Sequence, residues 1–503
     1  MSILKKLAGE TAIYGLSSIL GRLLNYVILT PYLTRSFTNR AEYGIVTELY
    51  AYIALLIVVF TFRMETTYFR YAGDKGQSGN TFSTATFFLI LTTAATTLFA
   101  MAFIQPIANW LDYPDRPEYV ALFLLILALD TLATVPFARL RLDNRPGRFA
   151  FIRLVNIFSN LFFIFFFLEC CPWLIENGCD KIKAVYDPSF RVGYVFLANL
   201  LASLITFLQF TPMIARMAWR IDRALLKKML WYTAPLILGG LAGAINQFIG
   251  NPMLKFFTPG TLSDKLTQLG LFGAAAKIPI LMTLFTQAFN YAAEPFFFRH
   301  AQREDAKDIY AQVAQAFTLV GSLVFLGIML YLDLIAFLIG PKYREATGIV
   351  PILLMAYLFL GIYYCFSVWY KLADKTIAGG FFALGGSAIT IGLNIFLIPR
   401  IGYYGPAWAA LACYGFMVAA CYLSGQRYFH IHYPIGRMTG YILLALAGYG
   451  LSLLNNAWLA ANLPAKLTAN TLVMTAFLLA VAFLEKNKIK QLLKSLPKSA
   501  RPK

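Results

Sequence analysis

Charge is what this sequence has least of. Only 13% of its 503 residues are charged, and the acids are the scarcer half, 24 Asp and Glu against 43 Lys and Arg. Soluble domains carry roughly 25% charged residues. A chain this poor in charge and 59% hydrophobic falls outside that class. Histidine is almost missing, with three in the whole chain. His300, His430 and His432 all fall in short polar loops, which leaves no histidine-built metal or acid–base constellation. The six cysteines show neither metal-ligand nor redox spacing. Cys365, Cys413 and Cys421 sit in apolar runs as packing residues. Cys170, Cys171 and Cys179 share one loop, where a disulfide and free thiols are both open. No nucleotide motif, metal site or cofactor site is expected, and no inserted soluble domain interrupts the chain. An enzyme needs acid–base groups gathered round a pocket, and these absences argue against one.

Hydrophobic length is what the chain has instead. Apolar stretches of about 20 residues, enough to cross a bilayer as a helix, recur from end to end. They fall at 11–34, 43–64, 82–104, 118–138, 149–168, 191–213, 230–252, 268–290, 311–332, 346–369, 379–398, 404–424, 438–456 and 468–484. The fold class is an all-α polytopic membrane protein of about fourteen transmembrane helices. Lys5 and Lys6 precede the first stretch, which is too long for a signal-peptide core, so the N-terminus is expected in the cytoplasm. An even number of spans returns the C-terminus to the same side. Most Lys and Arg then fall on the inside loops, as the positive-inside bias requires. This placement accounts for the net charge of +19 as a face adapted to anionic inner-leaflet lipid, with no nucleic-acid role. Two basic segments, 216–228 and the tail beyond 485, interleave apolar residues and are expected to lie on that leaflet as interfacial helices.

One pattern occurs twice. Glu65, Phe69 and Arg70 are matched by Glu294, Phe298 and Arg299, and the same offset of 229 residues carries Tyr43-Gly44 onto Phe272-Gly273. Six spans separate the copies, so both hairpins have one orientation in the membrane. Parallel repeats of this kind predict two six-helix lobes related by a pseudo-two-fold axis along the membrane normal. The expected division is 1–215, a cytoplasmic interfacial linker 216–229, 230–425, two further spans over 426–484 and a basic cytoplasmic tail 485–503.

Polar residues mark the helices expected to line a central cavity. Tyr14, Ser18, Arg22 and Asn25 form one stripe on the first span. Gly239, Gly243, Asn246 and Gly250 form another on the seventh, and Lys277 stands in the eighth. A charge at mid-helix costs about 2.5–3.5 kcal/mol on insertion scales, so it turns to a cavity or a partner. Arg22 falls near mid-membrane. Arg63, Glu65, Arg70, Glu294 and Arg299 fall towards the cytoplasm, while Glu48 and Lys277, equivalent in the repeat, fall towards the outside with opposite charge. Ser18, Arg22, Asn25, Arg63, Asn246 and Lys277 are the candidate substrate contacts. Glu48, Glu65, Arg70, Glu294 and Arg299 are candidates for gating or structure. Glu48 and Lys277 read equally as a pair with each other or as contacts to substrate. Asp130 reads as a coupling-ion site or as a satisfied polar residue. Spans three, five, nine and fourteen carry almost no charge and suit a lipid-facing shell.

The polar first helix with Arg22 and Asn25, Pro136 to Arg141, Gly270 to Lys277, and the spaced Asn394, Pro399, Gly402 and Gly405 resemble polysaccharide-export flippases. These belong to the multidrug/oligosaccharidyl-lipid/polysaccharide exporter superfamily, and the resemblance runs through essentially the whole chain. It implies an alternating-access flippase of the bacterial inner membrane. Such a protein moves undecaprenyl-pyrophosphate-linked oligosaccharide for O-antigen, capsule or a related glycan from the cytoplasmic to the periplasmic leaflet. The resemblance leaves coupling open between a proton, a sodium ion and the membrane potential. Similar proteins carry an acidic residue near the end of the seventh helix, where this chain has Gly250, Asn251 and Pro252. A multidrug or cation antiporter and a lipid II flippase are the alternatives within the superfamily. A monomer is expected.

The charge distribution sets a test of orientation. Cysteine-accessibility labelling of intact cells is expected to reach the loop around Asp112 and to spare Arg145→Cys and Arg223→Cys. Labelling of Arg145→Cys from outside would reverse the topology.

Overall fold

The computed structural model describes residues 23–72, 78–184, 186–373, 375–458 and 462–486, and every regular element among them is helical. A widened turn at Asn25–Leu29 leads into α1 (Thr30–Ser36). The long helices follow in order: α2 (Arg40–Phe60), α3 (Met64–Ala72), α4 (Ser78–Ala102), α5 (Pro117–Leu142), α6 (Pro146–Phe165), α7 (Arg191–Leu208) and α8 (Arg223–Phe248). Next come α9 (Gly250–Phe257), α10 (Leu262–Ala275), α11 (Ile280–His300), α12 (Ala306–Leu330) and α13 (Val350–Phe366). The last are α14 (Ile377–Ile401), α15 (Tyr404–Tyr428), α16 (Ile435–Trp458) and α17 (Leu463–Leu484). Among the described residues, 12 helices are long and apolar enough to cross a membrane, and 13 if α10 and α11 count as one bent span. Half of the remaining expected span, 11–34, lies outside the described residues, and the 13 found are close to the fourteen expected. Large apolar side chains such as Leu98, Phe162, Phe381 and Leu472 stand exposed on these helices, as a hydrocarbon solvent permits.

Contacts divide the chain into two compact units. The first holds 1–277, 338–349 and 377–413. One part of its core packs Tyr68, Phe82, Phe137, Phe149, Phe210 and Met229. The short segment 338–349 belongs here because it is clipped to the start of α2. Arg40 meets Glu345 through two hydrogen bonds of 2.6 and 3.3 Å, Lys342 donates to the Thr38 carbonyl at 2.9 Å, and the Gly340 amide donates to Thr34 at 2.8 Å.

The closest helix contact in this unit is between α2 and α10. A Cβ on Gly44 would lie 2.1 Å from the Leu266 carbonyl oxygen, one on Gly270 would lie 2.2 Å from that of Arg40, and one on Gly273 would lie 2.2 Å from Thr47 Oγ1. Within a bilayer the helices gain no hydrophobic drive to associate, so small residues that let backbones touch supply the van der Waals contact instead. Gly44 and Gly273, equivalent positions of the repeat, face one crossing from its two sides. The Pro399–Gly405 signature makes the tight turn between α14 and α15, with Gly402 at φ +56°.

The second unit holds 278–337, 350–376 and 414–503. Here α12 and α13 are the deeply buried helices. In the most apolar window of α12, 61% of residues are buried, against 28% for α4 and 11% for α17. The ninth span is therefore core, not lipid-facing shell. Absence of charge marks both environments alike; Ala314, Thr318, Gly321 and Ser322 are the small residues that admit neighbours. The end of α17 docks on α12 and α16 through a buried polar knot. Tyr441 and Gln315 donate to Glu485 at 2.5 and 3.0 Å, with Arg437 3.8 Å away.

The linker differs from the expected interfacial helix over 216–228. Residues 218–222 are not helical, and from Arg223 onward the chain is already the first turn of α8. The reason is a cap. Asp222 accepts from the Leu225 amide at 3.0 Å and from Asn80 at 3.0 Å, and Ser83 and Thr84 accept the Ala218 and Asp222 amides. The Leu225 amide, with Asn80, holds the Asp222 carboxyl below the usual carboxylate range. The basic tail beyond 486 lies outside the described residues. Cys170, Cys171 and Cys179 are free thiols.

The α2–α10 crossing is testable. Gly44→Ala should lower the stability of the detergent-solubilised protein by about 1–3 kcal/mol, because a backbone carbonyl cannot swing aside. Gly392→Ala, where a Cβ meets nothing within 4 Å, should leave the thermal midpoint unchanged or raise it.

Candidate functional site

The second span is broken where its candidate arginine stands. Helix α2 ends at Phe60 and α3 begins at Met64. Between them Phe62 and Arg63 take φ of 47° and 52°, a left-handed conformation that costs non-glycine residues about 1–3 kcal/mol each. Packing holds the break in place. Phe62 meets Phe88 edge-on at 5.2 Å, and Met64 and Tyr68 are fully buried beside it. The break directs the Arg63 side chain onto α8, where only a hydrogen at Gly240 leaves room. A Cβ there would lie 2.9 Å from Arg63 Nε. That Nε is buried with no hydrogen-bond partner. The far end of the guanidinium is 3.8 Å from Glu65, and the side chain is 38% exposed. The exposed end of the guanidinium, away from the buried Nε, is the part that can grip an anion.

Glu48 has a different place. Its carboxylate is fully buried, with Lys255 Nζ 3.2 Å from each oxygen and the Tyr113 hydroxyl donating at 2.5 Å. Lys255, equally buried, also donates to the Leu111 carbonyl, lies 3.9 Å from Asp112 and stands 4.2 Å over the Tyr113 ring. Burial, then the Glu48 charge, pushes the Tyr113 hydroxyl well above its ordinary range, so it stays a donor. Of the two readings open for Glu48, a pair with Lys277 or a contact to substrate, the pairing is made with Lys255 instead. Lys277 reaches no carboxylate among the described residues, and its Nζ lies 5.4 Å from the Tyr26 ring. Lys255 is the residue that sequence reasoning passed over. Its signal was a lone cation in the apolar run 250–257.

The other candidates separate. Asn246 is buried between α8 and α14, donating to the Ala383 carbonyl at 3.1 Å and accepting from Ser387 at 2.9 Å. Its amide holds two helices together. Arg70 stacks 4.4 Å over Tyr232 and ties α3 to α8. Asp130 accepts from Ser203 at 2.8 Å, as a satisfied polar residue would. Ser18 and Arg22 lie outside the described residues, as do the side chains of Asn25, Glu294 and Arg299. The repeated hairpins also differ in where they break. The first breaks at 61–63 and the second at 276–279, beside Lys277.

The buried pair sets a stability test. Lys255→Met strands a buried carboxylate and should cost about 3–5 kcal/mol, whereas the double change Glu48→Leu with Lys255→Met should recover most of that loss. Thermal unfolding in detergent checks both. A single variant as stable as wild type would show that the pair bears no load.

With this geometry in hand, the chain can be set beside known proteins. No protein-family model and no curated protein sequence matches it. Solved structures do. A lipid II flippase, MurJ, in an inward closed conformation superposes with a TM-score of 0.71 at 13% identity, covering 95% of this chain and 99% of the other. An inward-facing multidrug resistance MATE family transporter of the MOP superfamily gives 0.63 at 13% identity, covering 84% and 98%. A MOP superfamily transporter from Pyrococcus furiosus, described as having a binding pocket of reverse polarity, gives 0.53 at 14% identity, covering 86% and 96%. At such identities the likeness is one of architecture: this chain has the fold of the multidrug/oligosaccharidyl-lipid/polysaccharide exporter superfamily, the fold implied by its sequence resemblance.

Proposed function

We propose that the protein is a flippase for a lipid-linked oligosaccharide. Its substrate is an undecaprenyl-pyrophosphate-linked precursor of O-antigen, capsule or a related glycan. The protein moves it from the cytoplasmic to the periplasmic leaflet of a bacterial inner membrane by alternating access. It acts as a monomer with both termini in the cytoplasm, binds anionic inner-leaflet lipids, and couples to a proton or sodium ion. The sugar and pyrophosphate follow a cationic path while the lipid tail stays in the bilayer.

The observation that carries this reading is Arg63. A strained break and a glycine on the facing helix seat its Nε against α8 and leave the outer end of the guanidinium exposed. A diphosphate supplies the acceptors for such a fork. Lys277, with no carboxylate partner among the described residues, and Arg22, on the polar stripe of the first span, extend the same charge. A multidrug or cation antiporter would instead expose carboxylates, and Glu48 and Asp130 are both engaged. Lipid II is the second reading, favoured by the likeness to MurJ over 95% of the chain. It differs in the glycan, not in the diphosphate chemistry.

Arg22→Ala, expressed in a strain lacking the native gene, should abolish surface glycan while protein level and insertion stay normal, since removing an intramembrane charge does not hinder insertion. Arg22→Lys should restore only part of the display, because an ammonium keeps the charge and loses the fork. Arg63→Ala should be milder. Wild-type display from a normally expressed Arg22→Ala protein would refute the assignment. Restoration of growth in a lipid-II-flippase-depleted strain, with surface glycan untouched, would decide for lipid II.

A further inference from the structure

A second cationic site lies away from the residues above, where α5 turns back into α6. The turn needs Asn144 at φ 51°. It brings the last turn of α5 and the first of α6 beside the short helix after α7. The result is a cleft of about 220 Å³ lined by Arg139, Asp143, Arg145, Arg148, Pro212, Met213 and Arg216. Four guanidiniums share this cleft with a single carboxylate. Only Arg139 is anchored, with Nε 3.7 Å from Asp143 and its guanidinium 4.3 Å over the buried Phe82 ring. Arg145, Arg148 and Arg216 reach no carboxylate among the described residues.

The backbone adds to the same field. Helix α6 opens on Pro146 with no side chain capping it at Arg145. Proline has no N–H, so the first free amides are those of Gly147 and Arg148, which by position have no acceptor within the helix. An uncapped helix start favours an anion, and here it opens among the arginines. The cleft sits at the ends of two membrane spans, Pro117–Leu142 and Pro146–Glu176, at the level where a headgroup would lie. Pro212 and Met213 give it an apolar wall.

We infer that this cleft binds the phosphate of an anionic lipid headgroup, held by Arg145, Arg148 and Arg216 around the start of α6. Like charges packed this closely repel, and a phosphate relieves that repulsion while accepting from several forks at once. The site does not depend on which glycan the protein carries. Soluble phosphate and diphosphate share its chemistry, so the source is decided by experiment.

Delipidated full-length protein in detergent would be titrated separately with phosphatidylglycerol, phosphatidylcholine and inorganic pyrophosphate. Native mass spectrometry would count bound lipid, and thermal unfolding would report protection. Wild type should bind phosphatidylglycerol at least tenfold more tightly than phosphatidylcholine. Arg145→Gln with Arg148→Gln should weaken phosphatidylglycerol at least fivefold. Arg216→Gln, on the other wall and outside any helix, should weaken it as well and guards against a folding defect in the double variant. Arg303→Gln with Lys307→Gln removes equal charge elsewhere and should change nothing. Equal, cleft-dependent protection by pyrophosphate would make the occupant a soluble anion; protection by lipid alone would make it a headgroup. Wild-type binding by the cleft variants, or an equal loss in the control, would overturn the site.

Discussion

Two helices that touch backbone to backbone set the frame of the first unit. Gly44 on α2 faces the Leu266 carbonyl, and Gly270 and Gly273 on α10 face Arg40 and Thr47. In water such a contact would be one among many. In a bilayer, apolar surface gains nothing by leaving lipid for protein, so close fit and internal hydrogen bonds must supply the adhesion. Three glycines on one crossing allow a fit that no larger residue could reach. The clip between Arg40 and Glu345 then closes one end of it.

The buried charges follow from that frame. Glu48 lies one turn beyond Gly44 on α2, and being sealed from solvent it needs a partner that is sealed as well. Lys255 supplies it, Tyr113 donates to the same carboxylate, and the Leu111 carbonyl accepts from Lys255. A buried pair is rarely a net source of stability, but breaking one is costly. The pair therefore fixes where α9 and the 111–113 loop can rest against α2. Asn246 does the same by neutral hydrogen bonds between α8 and α14.

Other cations have no such sealed partner. Arg63 stands on a left-handed break with its outer end exposed beside Glu65, and Arg145, Arg148 and Arg216 line one cleft at an uncapped helix start. Neither arrangement lowers the energy of the folded chain by itself. On the proposed reading both become favourable once an anion is present. The basic residues, on that reading, divide into those that bind the protein to itself and those left open for phosphate.

Sequence alone was enough for the class and the spans, because each rests on a local property: hydropathy over a helix length and charge density in a loop. It also singled out Arg63, Glu48, Asn246 and Lys277 as unusual, because a polar group in an apolar run is visible without a fold. Which partner each one meets was not legible. Glu48 takes Lys255, some two hundred residues away, and no local pattern prefers it to Lys277. Nor could the low charge of the ninth span say whether it faced lipid or core, since both solvents are apolar. The linker helix failed for a related reason. Amphipathic spacing was present, but Asp222 found Asn80 and the Leu225 amide, and that cap ended one helix and began another. The spacing of side chains along the chain is a one-dimensional quantity, and pairing across helices is decided only when tertiary packing brings distant turns to the same depth.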